Sequence, residues 1–323
     1  MTSSRMGKIL VTGGAGYIGS VVARQMLDQG YDVTVVDNLS TGHRASVPSD
    51  ALFVDCDVAE VHEVLDSSYD AVFHLAASAE VAESVLRPEK YWRNNVIEAF
   101  YLLRAMRRSN VKRLVVSSSC AVYGEASGTH LSVDSPTRPI NAYGASKLAV
   151  DHMIHHECEA HGLAAVSLRY FNVAGSYRDL GERHSPESHL IPLVLQVALG
   201  VRERIAVHGN DYPTPDGTCV RDYVHVADIA NGHALALSSL VSGGHKVYNL
   251  GNGNGFSVRQ VIEAAREVTG SPIPEVTGPR RGGDPPILVA SAARAVEELG
   301  WRPQYPDLNK MISDAWDFHR KVL

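Results

Sequence analysis

Tyr143 and Lys147 stand four residues apart in NAYGASKLAVDHM, a spacing that puts both side chains on one helix face with Cβ atoms within about 6 Å. An ammonium held beside a phenol favours the phenolate. Free tyrosine titrates near pH 10, so a base working near pH 7 needs a depression of roughly 3 units, about 4 kcal/mol of preference for the phenolate. SSSCAVYG at 117–124 precedes this helix. Ser119 is the hydroxyl expected to bond the reacting oxygen, with Ser117 and Ser118 expected in packing or cofactor contacts. Ser119, Tyr143 and Lys147 are therefore the candidate catalytic residues for moving a proton on and off an alcohol.

A second constellation lies near the amino terminus. TGGAGYIG at 12–19 satisfies GxGxxG through Gly14, Gly16 and Gly19, and GxxGxxG through Gly13, Gly16 and Gly19. A side chain at the tight turn would keep the backbone off a pyrophosphate, and one at Gly19 would hold the following helix off the strand. Free amides at the helix start then face the anion. Asp37 ends the second strand pattern, where a carboxylate accepts both ribose hydroxyls of an adenosine and repels a 2′-phosphate. That combination points to NAD as the cofactor, in preference to NADP. Asp57 and the HLAA segment at 74–77 also fall at strand ends, where open α/β sheets place ligands.

The elements that must position these groups follow from hydrophobic patterning. Strands are expected at 8–12, 32–37, 52–55, 71–75, 113–118 and 164–170, and helices at 17–29, 89–108 and 141–161. Several strands are apolar throughout, as VTVV and RLVVSS show, which fits a parallel sheet covered on both faces. The fold class is α/β, a Rossmann-type doubly wound parallel sheet with a smaller mixed α/β substrate domain. After Asn172 the rhythm breaks into Pro- and Gly-rich connections such as DYPTPDGT and GPRRGGDPP. Residues 1–172 are thus expected to form the NAD-binding domain and 173–323 the second.

The 323 residues, 45% hydrophobic and 20% charged, exclude disordered and fibrous classes. A formal charge of −6 excludes the basic field that a nucleic acid or an anionic membrane would need. Phosphates must be gripped by local geometry instead. Four cysteines without a CxxC pair argue against a disulfide framework or a thiolate zinc site. MTSSRMGKILV has no signal-peptide core and no stretch reaches the ~18 apolar residues of a membrane span, so the expected location is the cytoplasm.

TGGAGYIG, Asp37-Asn38, SSSCAVYG, YGASK, RYFN at 169–172 and DGTCVRDYVHVADI at 216–229 together resemble the extended short-chain dehydrogenase/reductases. Within them, YFNVAG, HLIPLVLQVALG, GNDYPTPDGTCVRDYVHV and RRGGDPP resemble the UDP-glucose 4-epimerase group, from about Lys8 to about Trp316. The resemblance implies reversible inversion at C4 of UDP-glucose/UDP-galactose through a 4-keto intermediate, with NAD+ held as a permanent oxidant. It implies cofactor contacts from Gly13, Gly16, Tyr17, Ile18, Gly19, Asp37, Asn38, Leu39, Asp57, Val58, Leu75, Ala76, Ala77, Asn94, Ser117, Tyr143, Lys147 and Phe171. Substrate contacts are implied for Ser119, Tyr143, Asn172, His189, Leu190, Arg221, Arg281, Asp284 and Leu288. The two arginines also make sense as guanidinium forks for a diphosphate, although Arg221 has a rival partner in neighbouring Asp222. Where many relatives carry Asn this chain has His189, while a backbone contact through Leu190 is indifferent to that change. Ala79 replaces a lysine that touches the cofactor in some relatives. Leu288 takes the gate position where a large aromatic excludes N-acetyl sugars and a small residue admits them, so UDP-GlcNAc/UDP-GalNAc are expected as the slower pair. The family also sends residues 221–240 back onto the first domain, and pairs helices 89–108 and 141–161 into a homodimer bundle.

His152, His155, His156 and His161 are read as a solvated or interface face, since HECEAH is one residue too long for HExxH; no metal is expected. Cys120 lacks a base in its sequence neighbourhood. A dehydratase would require Asp-Glu after the catalytic hydroxyl to work at C5 and C6, where this chain has Cys120 and Ala121. A decarboxylase, a reductase with exchanging NAD and a non-catalytic NAD sensor are the remaining rivals. The sensor would be marked by loss of the tyrosine or lysine, and both are present.

Overall fold

A computed structural model describes residues 6–125, 130–282 and 285–322. Continuous β-branched and apolar runs become strands β1 (Lys8–Thr12), β2 (Asp32–Val36), β3 (Leu52–Val54), β4 (Ala71–His74), β5 (Arg113–Ser119) and β6 (Ala164–Tyr170). With the strand Gly244–Leu250 they make one parallel sheet, ordered 244–250, β6, β5, β4, β1, β2, β3. The order reverses between β1 and β4, the switch point beside which such sheets hold ligands at their carboxyl ends. The sheet is the Rossmann-type architecture expected.

Both faces are covered, which explains why β6 is buried at every position. On one face helix α1 (Tyr17–Asp28) and the helix Val226–Ser239 pack with Trp301. On the other lie Glu98–Arg108 and Ala142–His161. Asn141 caps the latter, its Oδ1 accepting from the Gly144 amide at 2.8 Å, and Gly162 at φ +67° closes it.

Two features differ from the sequence pattern. The helix expected over 89–108 is three pieces: Pro88–Tyr91, a π turn Trp92–Ile97, and Glu98–Arg108. A π turn holds one extra residue, and here the amides of Asn94 and Asn95 both reach Ser78, beyond the end of β4. The return of chain onto the first layer is also longer than 221–240. Gln25 Nε2 of α1 donates to the Ala227 carbonyl at 3.1 Å, and Gly244–Leu250 pairs along the whole of β6. Sheet residues therefore come from both sides of the expected 172/173 boundary, because β6 would otherwise leave an unpaired edge.

The remaining chain is less regular. Asn172–Ala174, Val220–His225, Gly255–Ser257 and Ile287–Leu288 share a small mixed sheet built around Val220–His225. The helices Leu190–Ala198, Val258–Thr269 and Leu308–Val322 enclose a separate apolar cluster.

Candidate active site

The glycine turn follows β1 directly, and each glycine has a different task. Gly13 has φ +72°, and a Cβ there would lie 2.5 Å from the Ala76 amide nitrogen. At Gly19 a Cβ would meet the Gly13 carbonyl oxygen at 2.1 Å, so that position fixes helix against turn. Gly16 is different. Its Cβ would meet only the Gly13 oxygen, at 3.3 Å, and as the N-cap of α1 it has no capping side chain. The first amides of α1 are left for an anion. Asp37, at the end of β2, is tied into the same turn: its Oδ2 accepts from the Ala15 amide at 3.0 Å and Oδ1 from Leu39 at 2.9 Å. Burial raises its pKa against those two hydrogen bonds. The uncapped helix start, open above Gly16 with a carboxylate beside it, fits the pyrophosphate and ribose of NAD.

Further along the strand ends, Asn38 Nδ2 donates to Asp57 Oδ1 at 2.5 Å. Asp57 also caps the short helix Val58–Glu63 in a capping box with Glu60. Its expected cofactor contact therefore shares the carboxylate with a structural task. Leu75 and Ala76 amides point back to Thr12, so HLAA is held against β1. Asn94 Nδ2 donates to Ser78 Oγ at 3.1 Å.

The proton-transfer residues converge at the end of β5. Ser119 lies close enough to Tyr143 for its hydroxyl to act on the phenol, and the Ser119 Oγ accepts from the Ala121 amide at 3.1 Å. Lys147 is 6% exposed and donates to the Ser117 carbonyl at 2.8 Å. Burial pulls the Lys147 pKa down to about 8, with Asp151 opposing. Burial pushes Tyr143 up to about 12; the Ser119 hydrogen bond lowers it, and Cys120 and Glu80 add to the rise. The depression of the phenol expected from Lys147 together with the positive nicotinamide ring of NAD is not produced by the chain's own groups. Loss of water around a phenolate outweighs them, because the ammonium is directed at Ser117. Cys120 is likewise pushed up to about 12 by burial, which leaves it a protonated thiol.

A buried network behind the site was not read from the sequence. Asp151, one turn beyond Lys147, pairs with Arg169 of β6 at 3.0 Å and accepts from Ser118 Oγ at 3.2 Å. Arg169 continues to the Tyr123 hydroxyl, which donates to Asn249 at 2.6 Å. Asn95 extends the support, its Nδ2 donating to Ser146 Oγ at 2.9 Å and its Oδ1 accepting from the Ser78 amide at 2.8 Å. The i,i+4 continuation Tyr143, Lys147, Asp151 was the available signal for the first of these.

On the opposite side, Arg221 donates to the carbonyls of Val220 and Pro285 at 2.9 and 2.8 Å, and it lies close enough to Cys120 to act on that thiol. Asp222 has other partners. Its carboxylate accepts from the amides of Asn252, Gly253 and Ala290 at 2.7, 2.9 and 3.0 Å. Burial lifts its pKa to about 6 against those bonds. Leu288 is paired with Arg221 in register and packs on the cluster of Phe171, Val122 and Tyr123, which also includes Cys120. Asn172 Nδ2 donates to the Asp222 carbonyl at 3.1 Å. Arg281 is exposed, and Asp284 lies outside the described residues.

The His189 Nδ1 is 2.9 Å from Glu187 and 3.0 Å from Glu182, so the side chain is engaged by carboxylates. Burial opposes its charge, but the two carboxylates outweigh it and raise its pKa. Leu190, next in sequence, begins the helix Leu190–Ala198.

An open Rossmann sheet with a glycine turn, a terminal Asp on β2 and a Ser-Tyr-Lys group on β5 and its following helix defines a nucleotide-dependent enzyme of the short-chain type. The model of the NAD dependent epimerase/dehydratase family matches residues 9–251, and the chain belongs to that family. It is 57% identical to a UDP-glucose 4-epimerase of Streptomyces lividans, over 97% of this chain and 96% of the relative. It is similar to the crystal structure of the UDP-glucose 4-epimerase from Brucella ovis in complex with NAD, with a TM-score of 0.93 and 44% identity over 97% of this chain and 98% of the other. The Bifidobacterium longum UDP-glucose 4-epimerase in complex with NAD+ and UDP matches with a TM-score of 0.91 and 36% identity, over 97% and 98% of the two chains.

Proposed function

We propose that this chain inverts C4 of UDP-glucose and UDP-galactose reversibly, as an NAD-dependent isomerase. The observation that carries the chemistry is the convergence of Ser119 and Tyr143 at the end of β5, with Lys147 one helical turn behind and bonded to the Ser117 carbonyl. Tyr143 takes the proton from the 4-hydroxyl as hydride leaves C4 and gives it back when hydride returns to the opposite face of C4, while Ser119 holds the same oxygen; the returned hydride leaves no net redox change. Bound NAD+ supplies the hydride acceptor that makes the transient 4-keto sugar and a positive ring that favours the phenolate. Lys147, partly relieved of its charge by burial, adds to that preference whenever it is protonated.

Residues 1–172 with the 221–250 return hold the cofactor; the rest, joined at the border by Asn172 and Arg221, grips the uridine diphosphate. Asn172, the Leu190 backbone, Arg221 and Arg281 serve the diphosphate and uridine. The Phe171–Leu288 cluster beside Cys120 borders the sugar, and its leucine makes UDP-GlcNAc/UDP-GalNAc the slower pair. Trp92, Ile97, Phe100 and Tyr101 are 43%, 49%, 51% and 39% exposed on the 92–108 helices, an apolar stripe that supports a homodimer; a one-chain mass in solution would exclude it. Four unpaired cysteines support a reducing, cytoplasmic setting, and among the described residues no helix is long and apolar enough to cross a membrane.

The test is incubation of the purified protein with UDP-galactose and no added reductant. UDP-glucose should accumulate to a fixed ratio by chromatography; no interconversion with NAD present overturns the reading.

A further inference from the structure

Residues 182–189 gather four donor groups outside the proton-transfer site. One ligand atom each from Glu182, His184, Glu187 and His189 lies within 4.8 Å of all the others. Three of the contacts are tighter: Glu182 Oε1 is 3.0 Å from Nδ1 of both His184 and His189, and Glu187 Oε1 is 2.9 Å from His189 Nδ1. A tetrahedral ion bound at 2.0–2.1 Å spaces its ligands about 3.3 Å apart. These three contacts lie within a few tenths of an ångström of that spacing, and the remaining pairs lie within 4.8 Å.

The chemistry of the set is selective. Two imidazoles with two carboxylates suit borderline zinc, whereas calcium and magnesium take oxygen ligands in larger shells. Two carboxylates neutralise a divalent charge. Glu182 is 7% exposed, so the site is sheltered on one side. From the C-terminal helix, His319 is 5% exposed, acts electrostatically with both Glu182 and Glu187, and has an Nδ1 without a hydrogen-bond partner.

The surrounding segment is sewn to the cofactor side. The Tyr17 hydroxyl, from the first residue of α1, donates to the Gly175 carbonyl at 2.6 Å. His43 Nε2 meets the Arg183 carbonyl at 2.8 Å, and Ser188 bonds Glu80. Residues 175–189 thus form a strap from the small sheet across the neighbourhood of the glycine turn.

We propose that Glu182, His184, Glu187 and His189 form a site for one zinc-type divalent cation, which fastens this strap beside the cofactor. The expectation of no metal is drawn from the exposed 152–161 histidines and passes over these residues. Those histidines also yield a cluster, His155, His156 and Glu159, but all three are exposed, which makes them a control.

The test uses the full-length protein with its NAD, stripped by chelator and titrated with ZnCl2, MgCl2 and CoCl2. Calorimetry should give one zinc per chain with a rise in Tm, no magnesium binding at the same concentrations, and the visible d–d absorption of tetrahedral cobalt. Loss of a supporting residue around a metal typically costs 10–100-fold in affinity, so His184→Ala and Glu187→Gln should each weaken zinc by at least about 100-fold. His155→Ala/His156→Ala should retain full stoichiometry. Absence of stoichiometric zinc in the wild-type chain, or binding that survives His184→Ala and Glu187→Gln but not the control, overturns the site. NAD release should slow when zinc is bound, and an unchanged release rate overturns the fastening role. The metal titration does not depend on the C4 reaction, so the two readings fail separately.

Discussion

On the dinucleotide side, the groups that face a phosphate are backbone amides at the start of α1, held by three glycines and β1. On the side proposed for the uridine diphosphate they are side chains, with Arg221 anchored on the carbonyls of Val220 and Pro285. The first arrangement is set by local geometry within eight residues. The second is assembled from strands far apart in sequence, and Asp222 must collect amides from 252, 253 and 290 to hold them together. Under the proposed function, an acidic chain grips one pyrophosphate with dipoles and the other with imported positive charge.

The largest effect should come from between the two sides. Tyr143→Phe removes the acid/base group and should cut kcat by about 10²–10⁴-fold, leaving NAD and UDP binding nearly intact by calorimetry. Weakened binding on either side would show that the phenol also grips a ligand, and the contrast would break.

Gly19→Ala and Gly16→Ala separate packing from anion binding on the dinucleotide side. The first forces a Cβ onto the Gly13 carbonyl and should cost about 3 kcal/mol in denaturant melts. The second should cost less than about 1 kcal/mol yet lower NAD retention by at least about tenfold, since its Cβ projects where the ligand must come. Equal stability losses would refute the division of labour.

The two sides should also titrate in different windows. Asp222 has a folded pKa near 6 against about 3.9 unfolded. The folded state then holds the extra proton, so its contribution falls as pH rises from about 4 to 6, by on the order of 3 kcal/mol. Lys147 has a folded pKa near 8 against about 10.4 unfolded. The unfolded state binds the extra proton there, so stability rises from pH 8 to about 10 by a similar amount. Asp222→Asn should flatten only the acid window and Lys147→Met only the alkaline one, measured as urea midpoints against pH. Smallest of all, Leu288→Tyr should depress turnover of UDP-GlcNAc about tenfold relative to UDP-glucose; an equal loss on both sugars removes the gate.

The same contrast decides what could be read from sequence. Strands β1 to β6 and the glycine turn were legible because each is a short contiguous pattern, and all of these strands except the edge strand β3 are largely buried. Ser119, Tyr143 and Lys147 were legible for the same reason, two of them sharing one helix face. The π turn at Trp92–Ile97 was not, since one extra residue barely disturbs the apolar spacing of a helix. Gly244–Leu250 hid because its first half is alternately exposed and half-buried. The pairing of Asp151 with Arg169 joins a helix to a strand, which no local pattern records. Tyr143 shows a subtler limit. Its neighbours were identified, but the cost of burying a phenolate exceeds their help, and that balance depends on solvent exclusion.

The late arrival of Gly244–Leu250 has a consequence for the newborn chain. β6 leaves the ribosome well before the strand that completes the sheet beside it, and at 5–20 residues per second the interval is roughly ten seconds. During that time the apolar edge AAVSLRY is open to any other strand. Synthesis of this protein therefore passes through a moment of adhesiveness that its finished form conceals, and chaperone demand should peak there, before residue 250 has emerged.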